Sequence, residues 1–227
     1  MDVYKNFPVF ESENFFIREV RISDADDLLK VYSDEKAVPF FNGDNCHGDD
    51  FHYTTKERMS EAIKFWQFSY DNGYFVRWSI VDKRLDAAVG TIELFHRDDT
   101  SPVYDNCGLL RLDLLSDYEK ESIIKEILSV IMPAVYELFG DKVVTKVKFF
   151  ATERLAAVKA LGFSLPSEGL KGNSGEIFND YYIKKARSFY RNSHREFNKT
   201  QIKRFRHSVK LCLFCTFFRG RIRLLVA

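Results

Sequence analysis

Residues 153–163 read ERLAAVKALGF, and they contain the clearest junction between two secondary-structure elements in the chain. Leu155, Val158 and Leu161 follow one another at intervals of three, as residues on one face of an amphipathic helix do. Gly162 stands where a helix C-cap is expected, and the phenylalanine after it begins an extended segment. The stretch therefore predicts a helix that ends at the glycine and passes into a strand.

Hydrophobic periodicity predicts further elements on both sides of this junction. Two helices are expected to begin at capping boxes, because Ser23 and Thr54 each precede an acid by three residues. These helices are expected to run to about residues 32 and 70. A third helix is expected over residues 117–139, kinked or split at Pro133. Predicted strands cover residues 14–22, 74–82, 87–96, 107–115, 142–150 and 176–185.

Residues 39–53, PFFNGDNCHGDDFHY, follow neither period and are predicted to form a loop. We interpret this segment as a solvated or substrate-facing loop. A metal site is the alternative, because several potential ligands lie close together in it: His47, Asp49, Asp50 and His52. Spacing along a loop does not by itself direct ligand atoms to one point, so we expect no metal.

Charge divides the chain into an acidic body and a basic tail. Residues 1–183 hold 21 Lys or Arg and 32 Asp or Glu, whereas residues 184–227 hold 13 Lys or Arg and one acid. The tail admits three interpretations: a contact with nucleic acid or an anionic membrane surface, an arm that docks on the acidic body, or a segment without a selected role.

The four cysteines and the apolar segments favour a cytoplasmic protein with reduced thiols. Cys46 and Cys107 are isolated, and the C-x-x-C of Cys212 and Cys215 has no second pair of ligands nearby. The apolar run at residues 211–218 is far shorter than the roughly 20 residues that span a bilayer. We therefore expect no transmembrane segment.

The ordered series of elements resembles the GNAT superfamily of N-acetyltransferases. Five short stretches carry the resemblance: F-x-I-R at 15–18, ISDADDLLKVYSD at 22–34, W-S-I-V at 78–81, V-G-T-I-E-L at 89–94 and D-Y-Y-I at 180–183. They are most similar to the ribosomal-protein-alanine and serine acetyltransferase branch. The resemblance covers about residues 10–186. It implies an α+β GNAT fold with a mixed, mostly antiparallel central sheet of about six to seven strands and about four flanking helices. Residues 1–186 would form this domain, and residues 187–227 a basic C-terminal extension.

The resemblance also implies a site for acetyl-CoA, in a V-shaped split between the strands at 107–115 and 142–150. The pantetheine arm would pair with the first of these strands, and the pyrophosphate would rest on the N-terminus of the long helix. The implied contact residues are Leu112, Asp113, Leu114, Glu119, Lys120, Glu121, Ser122, Ile123, Ile124, Lys125 and Thr152.

The phosphate loop departs from the family pattern Q/R-x-x-G-x-G/A. Glu119 stands for the glutamine or arginine, Ser122 for the first glycine and Ile124 for the second small residue. A Cβ at these positions narrows the approach to the backbone amides. Acidic side chains at 119 and 121 place negative charge where the family binds phosphate. This departure favours an alternative function, a catalytically inactive GNAT-fold binding or regulatory protein that has lost acetyl-CoA binding.

The resembled mechanism is direct attack of a primary amine on the thioester, assisted by a base. Glu93 and Asp113 are the candidate bases, because each is a carboxylate among apolar residues on a predicted strand. The alternative is structural, with Asp113 paired to a basic residue such as Arg111 and Glu93 facing solvent. The expected function is acetyl transfer from acetyl-CoA to the amine of a peptide N-terminus or a small molecule. The acceptor and the oligomeric state are not defined by the sequence.

Overall fold

The structure, a computed structural model, describes residues 2–46 and 48–186. The predicted basic extension and its C-x-x-C lie outside the described residues, as does His47. Within the described part the α-helices are α1 (Ala25–Tyr32), α2 (Lys56–Asp71), α3 (Glu121–Leu138) and α4 (Thr152–Ala160). Each of these helices is too short or too polar to cross a lipid bilayer.

Seven of the strands among the described residues form one twisted sheet in the order β1-β2-β3-β4-β5-β6-β9. Neighbours are antiparallel except β5 and β6, which are parallel. The remaining two strands form a small hairpin. The strands are β1 (Phe10–Glu11), β2 (Phe15–Glu19), β3 (Val76–Asp82), β4 (Ala87–Arg97), β5 (Cys107–Leu114), β6 (Lys142–Lys146), β7 (Leu170–Lys171), β8 (Ile177–Phe178) and β9 (Tyr181–Lys185). The predicted fold class, a mostly antiparallel α+β sheet flanked by helices, is confirmed.

The predicted end of a helix at Gly162 is confirmed, but the strand expected after it is only an isolated bridge at Ser164, and other helix predictions also need correction. Gly162 has φ +86°, a left-handed conformation that favours glycine at the end of α4. Thr55, one residue later than expected, caps α2 by accepting a hydrogen bond from the amide of Arg58 at 3.2 Å. Pro133 does not split α3, because buried residues on both sides of it, such as Met132 and Val135, pack in the same core and hold the helix together.

Strand boundaries also differ from the prediction where the chain leaves the sheet. The strand predicted at 142–150 ends at residue 146, and the strand predicted at 176–185 is divided into β8 and β9. The helix predicted from residue 117 begins at Glu121, after a 3-10 turn at Ser116–Tyr118. The first strand, β1, was not predicted, since two residues are too few to show a period.

The two faces of the sheet differ in chemistry. The face toward α3 and α4 is apolar, because alternate strand residues and the inward sides of these helices form one core cluster that includes Trp78, Ile80, Ile92, Leu110, Leu112, Ile127 and Val158. The face toward α1 and α2 carries buried polar residues, namely Arg77, Ser79, Thr91, Glu93 and Asp113. The sheet therefore separates an apolar core from a layer of buried polar groups.

Gly90 allows β4 and β5 to approach each other beside this polar layer. A Cβ at this position would lie 2.3 Å from the carbonyl oxygen of Asp113 and 2.7 Å from Cδ2 of Leu114. We predict that Gly90→Ala lowers the free energy of unfolding by about 2–3 kcal/mol, because β5 has to shift. Gly73→Ala is the comparison: φ is +73° and no atom lies within 4 Å, so it should cost about 1 kcal/mol from backbone strain alone. Urea unfolding would measure both, and an equal or smaller loss for Gly90→Ala would contradict the steric argument.

Candidate active site

The strands β5 and β6 part after four residue pairs and leave a wedge between them. Their parallel register runs from Cys107–Lys142 to Leu110–Thr145 and stops there. β5 nevertheless continues to Leu114, paired with β4 along its whole length. The backbone of β5 beyond Leu110 therefore lacks a β6 partner, and this is the split at which the family resemblance implies acetyl-CoA.

Arg154 of α4 fills the wedge. Its Nη1 donates to the carbonyl oxygen of Leu112 at 2.8 Å and to that of Phe40 at 3.2 Å. Its Nε donates to Oε2 of Glu119 at 3.1 Å, and its Nη2 forms an ion pair with Oε1 of the same carboxylate. Arg154 is 5% exposed and Glu119 is 7% exposed, so this is a buried and hydrogen-bonded ion pair. The open edge of β5 is thus bonded by the chain itself.

The N-terminus of α3 is also bonded from within the chain. The amide of Glu121 donates to Oε2 of Glu153 at 2.7 Å. Amides in the first turn of a helix have no intrahelical acceptor, and they attract anions. In this structure the anion is a carboxylate from the start of α4. As the side chains stand, the wedge does not fit acetyl-CoA, because its strand and phosphate contacts are both occupied.

The predicted acetyl-CoA residues separate into three groups. Residues 119–122 and Thr152 lie where the starts of α3 and α4 meet, and Lys125 contacts Glu121 at 3.5 Å from the next turn. Four others, Leu112, Leu114, Ile123 and Ile124, pack their side chains in or against the apolar core. Asp113 lies on the opposite face of the sheet, in the polar layer. These ligand assignments stay predictions.

Arg154 was not among the predicted site residues, although the sequence contains a signal for it. It precedes Ala157 and Val158 by three and four residues, and these two residues form the buried side of α4. An arginine on that side requires an acidic partner. Glu119 is 35 residues away in the chain, so periodicity within the helix does not identify it.

The predicted bases Glu93 and Asp113 both contact one buried arginine, Arg77. Arg77 forms an ion pair with Oε2 of Glu93, and its Nη1 lies 3.3 Å from Oδ2 of Asp113. Arg111 pairs with the other oxygen of Glu93, Oε1, at 2.7 Å. The hydroxyl of Tyr32 donates to Oδ2 of Asp113 at 2.8 Å. Glu93 is therefore buried and doubly paired, and does not face solvent.

The two carboxylates have different pKa values because their partners differ. Burial favours the neutral form of Glu93, but the charges of Arg77 and Arg111 outweigh it and lower the pKa of Glu93 below its ordinary value. At Asp113 burial outweighs the charge of Arg77 and the Tyr32 hydrogen bond, so the pKa of Asp113 is raised. Of the two groups, Asp113 is the one whose pKa is shifted in the direction that a general base needs. Their catalytic roles stay predictions.

The loop predicted at residues 39–53 is held over the sheet near the wedge by Asp44. Oδ2 of Asp44 contacts Nζ of Lys146 at 2.5 Å and the hydroxyl of Tyr181 at 3.1 Å. Its backbone carbonyl accepts a hydrogen bond from Nη2 of Arg111 at 2.9 Å. The loop is thereby joined to β5, β6 and β9. Within residues 2–46 and 48–186, no group of three or more His, Cys, Asp or Glu side chains is arranged to hold a metal ion.

Two cavities among the described residues lie outside the wedge. The larger, of about 630 Å³, lies between the ends of β2 and β3 and the start of α1. The smaller, of about 230 Å³, lies between α3 and the end of β9. Neither is lined by Arg154 or Glu119.

Comparison with known proteins identifies the class to which this fold and wedge belong. A model described as an acetyltransferase (GNAT) domain matches residues 14–164, which is well over half of the chain. The chain belongs to the GNAT acetyltransferase family. The predicted resemblance to that superfamily is confirmed. No curated protein matches the chain.

Solved structures of acetyltransferases share the fold at low sequence identity. The ribosomal L7/L12 alpha-N-protein acetyltransferase in complex with coenzyme A is 13% identical, with a TM-score of 0.59 over 79% of this chain and 98% of that one. The ribosomal-protein-S5-alanine acetyltransferase from Vibrio fischeri is 16% identical, with a TM-score of 0.56 over 80% and 98%. The microcin C7 self-immunity acetyltransferase in complex with acetyl-CoA and AMP is 12% identical, with a TM-score of 0.57 over 76% and 93%. At such identities the likeness extends to the fold alone.

We predict that Arg77 stabilises the polar layer by neutralising two buried carboxylates. Arg77→Ala should lower the free energy of unfolding by about 3–5 kcal/mol, because Glu93 and Asp113 would lose their shared partner. The matched control is Arg21→Ala at an exposed arginine, with a change within about 0.5 kcal/mol. Chemical denaturation would measure both variants. Equal losses would show that the buried pairing does not stabilise the fold.

Asp82 anchors the turn that precedes α3, and its protonation should weaken the fold. The Tyr118 hydroxyl donates to Oδ2 of Asp82 at 2.8 Å, and the Arg84 side chain bonds the same carboxylate and lowers the pKa of Asp82 to about 2. The folded pKa lies below the unfolded value, so this stability is present above about pH 4 and is lost as pH falls toward 2.

Asp82→Asn should remove this acid-sensitive part of the stability. Arg84 is exposed, so solvent screens its attraction to Asp82. Between about pH 4.5 and 2, the free energy of unfolding should therefore fall by about 1 kcal/mol more in the parent than in the variant. Asp71→Asn, at an exposed aspartate, is the control and should leave the parent slope unchanged. Urea unfolding across this pH range gives the slopes, and parallel curves for parent and Asp82→Asn would refute the linkage.

Proposed function

We propose that this chain transfers an acetyl group from acetyl-CoA to a primary amine, of a peptide N-terminus or a small molecule, in the cytoplasm. The observation that carries the proposal is the parting of β5 and β6 after Leu110, beside the N-terminus of α3. Membership of the GNAT family supports it, as do the names of two neighbours: one is a ribosomal-protein acetyltransferase solved with coenzyme A, and the other is an immunity acetyltransferase solved with acetyl-CoA and AMP. The neighbours' names favour a peptide acceptor.

The residues near the wedge can support this chemistry through proton transfer. An attacking amine has to be neutral, and it loses a proton as it forms the amide. Asp113, with its raised pKa, is the proposed proton acceptor. Glu93, with its lowered pKa, stays ionised and holds Arg77 and Arg111 in place. Asp113 and its hydrogen-bond partner, the Tyr32 hydroxyl, are both buried, so the proposal requires this polar layer to open to the acceptor amine.

A second candidate function is favoured by the ion pair between Arg154 and Glu119. A protein that keeps this pair closed would be a GNAT-fold binding or regulatory protein without acetyl transfer. The acidic residues of the phosphate loop support it, because they repel a diphosphate.

Titration and turnover with acetyl-CoA separate the two functions. The first function predicts heat of binding in calorimetry and release of coenzyme A thiol with peptides that begin with Ala or Ser. A polyamine in parallel reactions tests a small-molecule acceptor. No heat and no thiol release at millimolar acetyl-CoA would reject the transferase and leave the binding protein.

Asp113→Asn tests the proposed proton acceptor. It should lower kcat on the order of 100-fold, while the affinity for acetyl-CoA stays that of the parent. The amide keeps the shape of the side chain, and Asp71→Asn controls for the loss of one carboxylate. Parent activity in Asp113→Asn would remove this residue from the mechanism.

A further inference from the structure

We propose that Arg154, Glu119 and Glu153 form an internal plug that stands in the acetyl-CoA site and has to leave it before acetyl-CoA can bind. The inference rests on the proposed function, since it assigns the wedge to acetyl-CoA. It adds that access to the site is controlled by the chain's own side chains.

The plug first takes the place of a ligand on β5. The carbonyl oxygen of Leu112 lies beyond the last β5–β6 pair, where the strand needs a hydrogen-bond donor from outside the sheet. Nη1 of Arg154 supplies that donor at 2.8 Å. The same nitrogen donates to the carbonyl oxygen of Phe40 at 3.2 Å, so the guanidinium bridges β5 and the start of the 39–53 loop. A pantetheine arm would need the volume that this group fills.

The plug also takes the place of phosphate at the start of α3. Oε2 of Glu153 accepts the Glu121 amide proton at 2.7 Å, as a phosphate oxygen would at a helix N-terminus. Glu119, two residues before Glu121, places a second carboxylate near the start of the helix. Its negative charge is neutralised by Arg154 and not by a ligand.

Arg154 is a buried and extensively hydrogen-bonded side chain, unlike an arginine on the surface. The guanidinium makes four hydrogen bonds, two to the Glu119 carboxylate and two to backbone carbonyls. Both charged side chains are more than nine-tenths buried. Removing one partner would leave the other charged and buried, so acetyl-CoA has to displace both together.

The test is to open the wedge and measure acetyl-CoA binding by calorimetry on the full chain. In the double variant Glu119→Gln with Arg154→Ser, neither an unpaired charge nor the guanidinium remains. Its acetyl-CoA affinity should rise by about 100-fold over the parent, because the cost of displacing the buried pair is gone. The matched control, Asp26→Asn with Lys56→Ser, removes an exposed ion pair and should bind as the parent does.

Glu153→Gln is a second test that does not depend on the buried pair. Glu153 is exposed, so its variant should fold. The loss of its carboxylate from the Glu121 amide should raise acetyl-CoA affinity by about 2- to 5-fold. An affinity equal to that of the parent would overturn the phosphate part of the plug. This test applies whether or not the double variant folds.

The outcomes separate the plug from the proposed function. Tight binding by the double variant and none by the parent supports the plug and rejects transferase activity in the parent as isolated. Equal, tight binding by both overturns the plug and leaves the function standing. A folded double variant that binds no better than the parent, or no binding by either at millimolar acetyl-CoA, overturns the plug. Circular dichroism and thermal unfolding establish which variants fold.

Discussion

The short parallel pairing of β5 and β6 is the constraint on which the candidate site depends. β5 is fixed by β4 over all eight of its residues, and β6 is fixed by β9, so neither strand can move to close the gap beyond Leu110. Protein interiors are close-packed, and an open gap beside a strand would also leave backbone carbonyls without donors. A chain with this sheet therefore has to fill the wedge with a ligand, with water or with its own side chains. In this protein the side chains are a charged pair.

The face of the sheet toward α1 and α2 is built from polar contacts instead. Polar strand residues point into a layer that α1, α2 and the loop cover, and Arg77 is at its centre, with the Trp66 ring 4.2 Å from its guanidinium carbon. A buried ion pair is weak evidence for stability, because desolvation opposes the attraction between the charges. Its clearer effect is on proton affinity. One arginine shared by two carboxylates, with a second arginine on Glu93 alone, drives the pKa values of Glu93 and Asp113 in opposite directions. This division between an ionised group and a proton-accepting group is typical of acid–base sites.

Most of the fold was predictable because the spacing of apolar residues reports which side of an element is buried. The helix before Gly162 and the three long antiparallel strands were found in this way, whereas the family was found by its resemblance in element order and short motifs. Elements of two residues, such as β1 and β7, contain no full period and were missed. The site was harder, because its contacts join residues far apart in the chain. Glu93 and Asp113 were identified by residue type and strand, but Arg77 reaches them only through the register of β3, β4 and β5. Nothing local shows that Glu119 and Arg154 are partners.

That partnership changes how the altered phosphate loop is understood. Considered alone, Glu119 is an acid where the family pattern has glutamine or arginine. This difference by itself suggests that a binding site has been lost. Considered with Arg154, it is half of a neutral, fully bonded unit that satisfies the open edge of β5. Neither residue is tolerable in this place without the other, because an unpaired buried charge costs several kcal/mol, so the two belong to one structural feature. The loop therefore makes contacts within the chain at the place where the family resemblance implies contacts with a ligand. If the proposed plug holds, the strength of these internal contacts, and not the loop sequence alone, determines how tightly acetyl-CoA binds.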